Sequence, residues 1–257
     1  MNSIDIRLGI ISALPEEQAG LIEHMQHAQS IPRGMRDFIT GKLWGVSSVC
    51  VVSRIGKVAA AATATTLIER FNVTHIVFTG VAGGADGDVR VGDIVVANGL
   101  LQHDMDASPL FPRFEVPLTG LSWFAADLSL TTQLKHAAQQ FLLQDFMQEI
   151  NDADRAEFKL KTPRLHCGLI ASGDEFIDCD IKLSSLKQHL PALLAVEMEG
   201  AAVAQVCHEF GVPFAVVRTI SDDANGDAAI NFTRFIEQVA RCYARNILRR
   251  FCASLAR

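Results

Sequence analysis

No Cys-x-x-Cys pair occurs in this chain, no His-Glu-x-x-His, and no Cys/His cluster at zinc spacing. Metal binding and dithiol redox chemistry are therefore not expected, and no cofactor is required by any motif present. The six cysteines are scattered at Cys50, Cys167, Cys179, Cys207, Cys242 and Cys252, mostly inside apolar runs where Cys acts as a small hydrophobe. No Lys/Arg-rich run appears and the formal net charge is −6, which excludes the basic footprint of a nucleic-acid partner. No uninterrupted apolar stretch approaches the roughly 18–20 residues that would span a bilayer. The opening "MNSIDIRLGIISALPEE" lacks a basic start followed by a long apolar region with a small-residue cleavage site. A soluble, cytoplasmic protein without a membrane partner is the expectation. Neither G-x-G-x-x-G nor G-x-x-x-x-G-K-[ST] is found, so dinucleotide and phosphate-loop chemistry have no support.

What is present is apolar and regularly alternating. The 257 residues are 49% hydrophobic and 20% charged, enough for one large domain with a well-formed core. Strand-like runs are "IRLGIISAL", "SSVCVVSRIG", "THIVFTGVAGG", "DIVVANGLL", "LHCGLIASGD" and "PFAVVRTIS". Between them stand helical patterns: "PEEQAGLIEHMQHA", "KVAAAATATTLIERF", "AAVAQVCHEF" and the terminal "NFTRFIEQVARCYARNILRRF". Strands alternating with helices predict a single α/β domain whose central, mixed but mostly parallel twisted sheet is flanked by helices. The polar stretch 145–163 reads as an insertion or surface excursion.

In such folds ligands sit beyond the carboxyl ends of the strands, so polar residues placed where a strand stops are candidates. Asp222 ends "FAVVRTISDD", although "DDANGD" is turn-rich and a cap or turn carboxylate is the alternative. Glu16 and Glu17 follow the first strand behind Pro15, where acidic residues also favour a helix dipole. In "VEMEG", Glu197 and Glu199 join an apolar run to a small-residue helix. Buried there without partners they would be costly, and either ligand hydroxyls or helix-start N–H groups could satisfy them. The glycine-rich "GVAGGADGD" after "HIVFT" permits close approach of a ligand to backbone. Phe176, after "LIASGDE", could stack on a purine or fill the core.

Taken in order, "GIISALPEE", "SRIGKVAAAA", "TGVAGG…VGDIVVA", "ASGDEFI", "AVEMEGAAVAQVC" and "VPFAVVRTISDDA" resemble the nucleoside phosphorylase/hydrolase superfamily. Within it they are most similar to the bacterial 5′-methylthioadenosine/S-adenosylhomocysteine nucleosidases, over residues 7–252. The resemblance implies an N-ribosyl hydrolase in which Asp222 is the general acid at adenine N7 and Glu17 activates water at the ribose C1′. An acid in that position must hold its proton near neutral pH, as a dry crevice encourages. It implies further that Glu199 binds the ribose hydroxyls with Met198 beneath the sugar. Phe176 and Ile177 would form the adenine site, Arg218 would stand near the water, and Phe232, Val81 and Ile55 would line the nucleoside pocket. The chemistry would be a ribosyl form of two-carboxylate glycoside hydrolysis. Residues 102–117 resemble the segment that reaches the partner's active site in the family's homodimer, so Leu110, Phe111 and Pro112 would contact the 5′ tail across an interface or simply seal it.

The chain departs from the family at Val81, where many members carry serine, and at Asn225, often acidic. A phosphorylase is the nearest competing activity, but phosphate needs cationic or N–H donors, and Glu16 and Glu17 would repel it. A 6-amino-6-deoxyfutalosine hydrolase and a non-catalytic nucleoside-binding protein are the other readings. Retaining proton donor and water activator together argues against the last.

Overall fold

The computed structural model describes residues 6–222 and 232–256, except for the side chain of Phe232. The elements run in the order β1 (Arg7–Ser12), α1 (Pro15–Ile22), β2 (Met25–Arg33), β3 (Arg36–Leu43), β4 (Val46–Val52), α2 (Lys57–Phe71), β5 (His75–Gly84), β6 (Ile94–Gln102) and β7 (Phe124–Ala125). After these come α3 (Leu128–Gln140), α4 (Phe146–Glu149), α5 (Asp152–Glu157), β8 (Leu165–Ser172), α6 (Asp180–His189), β9 (Leu193–Glu197), α7 (Gly200–Phe210), β10 (Phe214–Asp222), α8 (Phe232–Phe235) and α9 (Arg241–Leu255). One mixed sheet carries all ten described strands.

Its centre is parallel. β1 lies between β4 and β5, and β5 pairs in the same sense with β10. These strands are buried on both faces, which is why they read as continuous apolar runs. A second parallel group, β6–β8–β9, joins the first through antiparallel β10–β6 and β5–β9 pairs. The circuit β5–β10–β6–β8–β9–β5 therefore closes on itself, while β1, β4, β3 and β2 extend from it as an open wing. Helices α1 and α3 each pack on α9 over one apolar cluster, and α2 packs with α7 over another.

One expectation changes. The helix expected over "PEEQAGLIEHMQHA" stops at Ile22, and Met25–Arg33 is instead a strand paired antiparallel with β3. That strand is almost wholly exposed, so it lacks the alternation by which a strand announces itself. The stretch 145–163, expected to be an insertion or surface excursion, contributes side chains to the core. Phe146, Ile150, Phe158 and Leu160 are buried, and Phe158 meets Phe235 edge to face at 5.3 Å.

Candidate active site

The closed circuit brings several strand ends to one place. Ala13 and Leu14 after β1, Ile55 after β4, Val81–Gly83 at the end of β5, Phe176 and Ile177 after β8, Glu197–Glu199 after β9, and Ser221 and Asp222 ending β10 line a single cavity. The strand-end filter thus selects residues that are far apart in the chain and adjacent in space.

Glu17 is the third residue of α1 and almost fully buried. Its Oε2 accepts the backbone N–H groups of Ala13 (2.8 Å) and Leu14 (2.9 Å), and its Oε1 accepts that of Val81 (3.0 Å). The bonds to Ala13 and Leu14 cap the helix start, so the structural alternative is realised. The bond to Val81 adds something a cap does not need: it fixes the carboxylate across the cavity wall to β5. Burial pushes the Glu17 pKa up, opposed by the Leu14 N–H, the Arg218 charge and the Val81 and Ala13 N–H groups. The approach requires a glycine opposite, because a Cβ at Gly80 would fall 2.7 Å from Glu17 Oε1. Gly80→Ala is expected to displace the carboxylate and destabilise the fold by about 1–3 kcal/mol. Paired denaturation and turnover measurements check it, with turnover falling further than stability alone explains.

The two carboxylates of "VEMEG" divide the two roles weighed for them. Glu197 accepts N–H groups of Glu199 (3.2 Å) and Gly200 (2.8 and 3.0 Å), and the Ser172 hydroxyl. It also receives Arg218 Nη2 at 2.6 Å. It therefore caps α7 and anchors an ion pair. Glu199, the residue before that helix, makes no capping bond; its Oε1 accepts Gly56 N–H at 2.8 Å beside the cavity. Burial, then the neighbouring Glu197 carboxylate, pushes the Glu199 pKa up.

Asp222 reaches the cavity through an irregularity. Ile220 pairs with Ala82, and Asp222 then pairs with Gly83, leaving Ser221 as an extra residue in β10. Such a bulge reverses the face that the following residue presents. Asp222 is buried, and its Oδ2 accepts the Ser221 hydroxyl at 2.8 Å.

Other expected site residues are placed as follows. Met198, Val81 and Ile177 line the cavity; Phe176 and Ile55 do so at its mouth, 44% and 56% exposed. Arg218 does not line it. Its guanidinium is 1% exposed, lies over the Phe78 ring at 4.0 Å and is directed to Glu197, because β10 carries it beneath the wall. Leu110, Phe111 and Pro112 are not among the cavity residues of this chain, and Leu110 is 83% exposed. Asn225 and the Phe232 side chain lie outside the described residues. Sequence reasoning missed Ser221 and the Gly56 N–H, whose contributions arise from a bulge and a backbone group rather than from side-chain type.

Comparison with known proteins gives a consistent result. Residues 7–253 match the model of the phosphorylase superfamily. The 5′-methylthioadenosine/S-adenosylhomocysteine nucleosidase of Shewanella oneidensis is 36% identical over 231 residues, covering 90% of each chain. Among solved structures, the S. pneumoniae nucleosidase with a transition-state inhibitor aligns with a TM-score of 0.83 at 33% identity, over 97% of this chain and 100% of that one. The nucleosidase from Colwellia psychrerythraea in complex with adenine aligns at 0.86 and 31%, over 99% and 98%. A futalosine hydrolase mutant of Helicobacter pylori aligns at 0.82 and 32%, over 97% and 99%. The chain belongs to the phosphorylase superfamily and, within it, to the 5′-methylthioadenosine/S-adenosylhomocysteine nucleosidases.

Proposed function

We propose that this chain hydrolyses the N-ribosidic bond of 5′-methylthioadenosine and S-adenosylhomocysteine, releasing adenine and the 5-thioribose product. The observation that carries this reading is the Glu17 carboxylate, fixed by three backbone N–H groups at the cavity wall. Oε1 accepts only the Val81 N–H among the described residues and keeps a lone pair for a water proton. Arg218 Nη1 is buried without a hydrogen-bond partner among the described residues, and a Cβ at Gly80 would fall 3.1 Å from it and 2.7 Å from Glu17 Oε1. A water held between them would be oriented by a donor and an acceptor at once. Arg218 thus acts on the nucleophile and not on the nucleoside.

The water oxygen forms the new bond to C1′ as the C1′–N9 bond breaks, and Glu17 accepts the water proton. Burial raises its pKa above the usual carboxylate value, which makes it a stronger base than a solvent-exposed glutamate. Asp222 donates its proton to adenine N7, so the base leaves neutral. Glu199 accepts the ribose hydroxyls, Met198 lies beneath the sugar, and Phe176 and Ile177 hold the adenine. Such an oxocarbenium-like path needs no cofactor.

No Lys or Arg occurs among the described residues lining the cavity, and a phosphate dianion would face Glu17 there. Water is favoured over phosphate on that ground. The reading includes a cytoplasmic homodimer in which exposed Leu110 and Pro112, with half-buried Phe111 between them, face the partner's 5′ tail. Incubation with 5′-methylthioadenosine in phosphate-free buffer is expected to yield adenine and free 5-methylthioribose at the same rate as with phosphate. Release only with phosphate, giving a sugar 1-phosphate, would overturn it. Because a futalosine hydrolase mutant is among the structural neighbours, 6-amino-6-deoxyfutalosine belongs in the same assay, and a higher kcat/KM on it would reassign the substrate.

A further inference from the structure

The loop that supplies Gly56 N–H to Glu199 and the loop that carries Phe176 are far apart in sequence, yet a compact polar ring joins them. Lys57 Nζ lies 2.6 Å from Asp104 Oδ1 and 3.1 Å from Gln102 Oε1. The other oxygen of Asp104 accepts Asp174 N–H at 2.9 Å, and Asp174 Oδ1 accepts Lys57 N–H at 2.8 Å. Each of the three residues is thereby bound to the other two.

The ring is not what helix formation would select. Lys57 is the first residue of α2, where a cation opposes the macrodipole, and Gly56 before it offers no side-chain cap. Asp174 supplies the missing cap from another loop. Space around the ring is tight. A Cβ on Gly56, whose φ is +99°, would come 3.2 Å from Asp174 Oδ1, and one on Gly173 would fall 2.2 Å from the His103 ring. Gln102 is itself held by Gln205 of α7, through its Nε2 at 2.7 Å. The Lys57 side chain is only 15% exposed, so its pairing with Asp104 is partly shielded from solvent.

We propose that Lys57 and Asp104 are positioning residues for the nucleoside: with Asp174 they lock the Gly56 loop and the Phe176 loop together, setting the ribose-binding and base-binding sides of the cavity at a fixed separation. The proposal rests on the nucleosidase reading above. Glu17 and Asp222 are held by other bonds, from Ala13, Leu14 and Val81 and from Ser221. The lock therefore acts on binding and leaves the proton transfers in place.

The test is a double-mutant cycle with Lys57→Met and Asp104→Asn, read by steady-state kinetics on 5′-methylthioadenosine and by calorimetric binding of adenine. Each single variant is expected to raise KM about tenfold with kcat changed less than about threefold, the mark of lost ground-state binding. Adenine affinity falls in parallel, and the double variant is no worse than either single one because the partners act as a unit. Lys57→Arg, which keeps the cation, restores most of the KM. Additive losses in the cycle, or an unchanged KM in Lys57→Met, would overturn the lock. A wild-type chain that releases no adenine would instead refute the nucleosidase reading, while the adenine affinities of the same four proteins still decide the lock.

Discussion

Glu17→Gln lowers kcat for adenine release by about 10²–10⁴-fold, the range associated with a positioned proton-transfer group. The expectation follows from the environment, in which both carboxylate oxygens already accept backbone N–H groups. Glutamine has one acceptor oxygen, so its NH₂ must confront at least one of those donors and cannot take a proton from water. Mispairing at a buried site costs about 1–3 kcal/mol of stability in addition, which a denaturant titration separates from the kinetic loss. The pH profile gives a second check. Glu17 must be ionised to act, and burial raises its pKa above the usual carboxylate value. The rate should therefore fall as pH drops through that raised pKa, and this limb should be absent from the residual activity of Glu17→Gln. Asp222→Asn, which removes the proposed acid from the opposite side, should lose adenine release comparably. A Glu17→Gln enzyme with unaltered kcat would remove Glu17 from the mechanism.

Arg218→Met carries the largest expected effect on stability. It strands Glu197, which is buried, hydrogen-bonded to the start of α7 and paired with Arg218 at 2.6 Å. Removing one partner of a buried pair costs about 3–5 kcal/mol, equivalent to a fall in Tm of roughly 10 °C for a chain of this size. Methionine fills the space over Phe78 with an apolar chain, so the loss reports charge more than packing. Adding Glu197→Gln should restore most of the stability, since the amide oxygen still accepts from the helix start and no charge remains unpaired. Activity should not return with it: the Arg218 charge lowers the Glu17 pKa, so its removal raises that pKa further and shifts the acid limb of the profile to higher pH. Calorimetric melting of the two single variants and the double variant measures the first effect, and their pH–rate profiles measure the second. Equal stability of Arg218→Met and wild type would mean the pair does not hold this end of the sheet.

How the two carboxylates of "VEMEG" sort themselves shows where sequence reading stops. Both could be seen to sit at a strand-to-helix junction, and both possible partners were evident, but the junction's exact turn assigns helix-start N–H groups to Glu197 and the Gly56 N–H to Glu199. Arg218 illustrates the same limit: the resemblance placed it near the water, while only the structure shows it buried in β10 with its guanidinium directed to Glu197.

The amino-acid sequence by itself determined the central strands, because a strand buried on both faces must be a continuous apolar run. It also marked the strand ends where polar residues had to be accounted for, and the ordered set of motifs identified the family. It did not determine β2, an exposed strand held by backbone pairing to β3 and therefore free of side-chain signature. Nor did it determine the bulge at Ser221, the closed circuit of β5, β10, β6, β8 and β9, or the ring of Lys57, Asp104 and Asp174. Those depend on register and on backbone groups that every residue carries alike, and only tertiary pairing decides which of them meet.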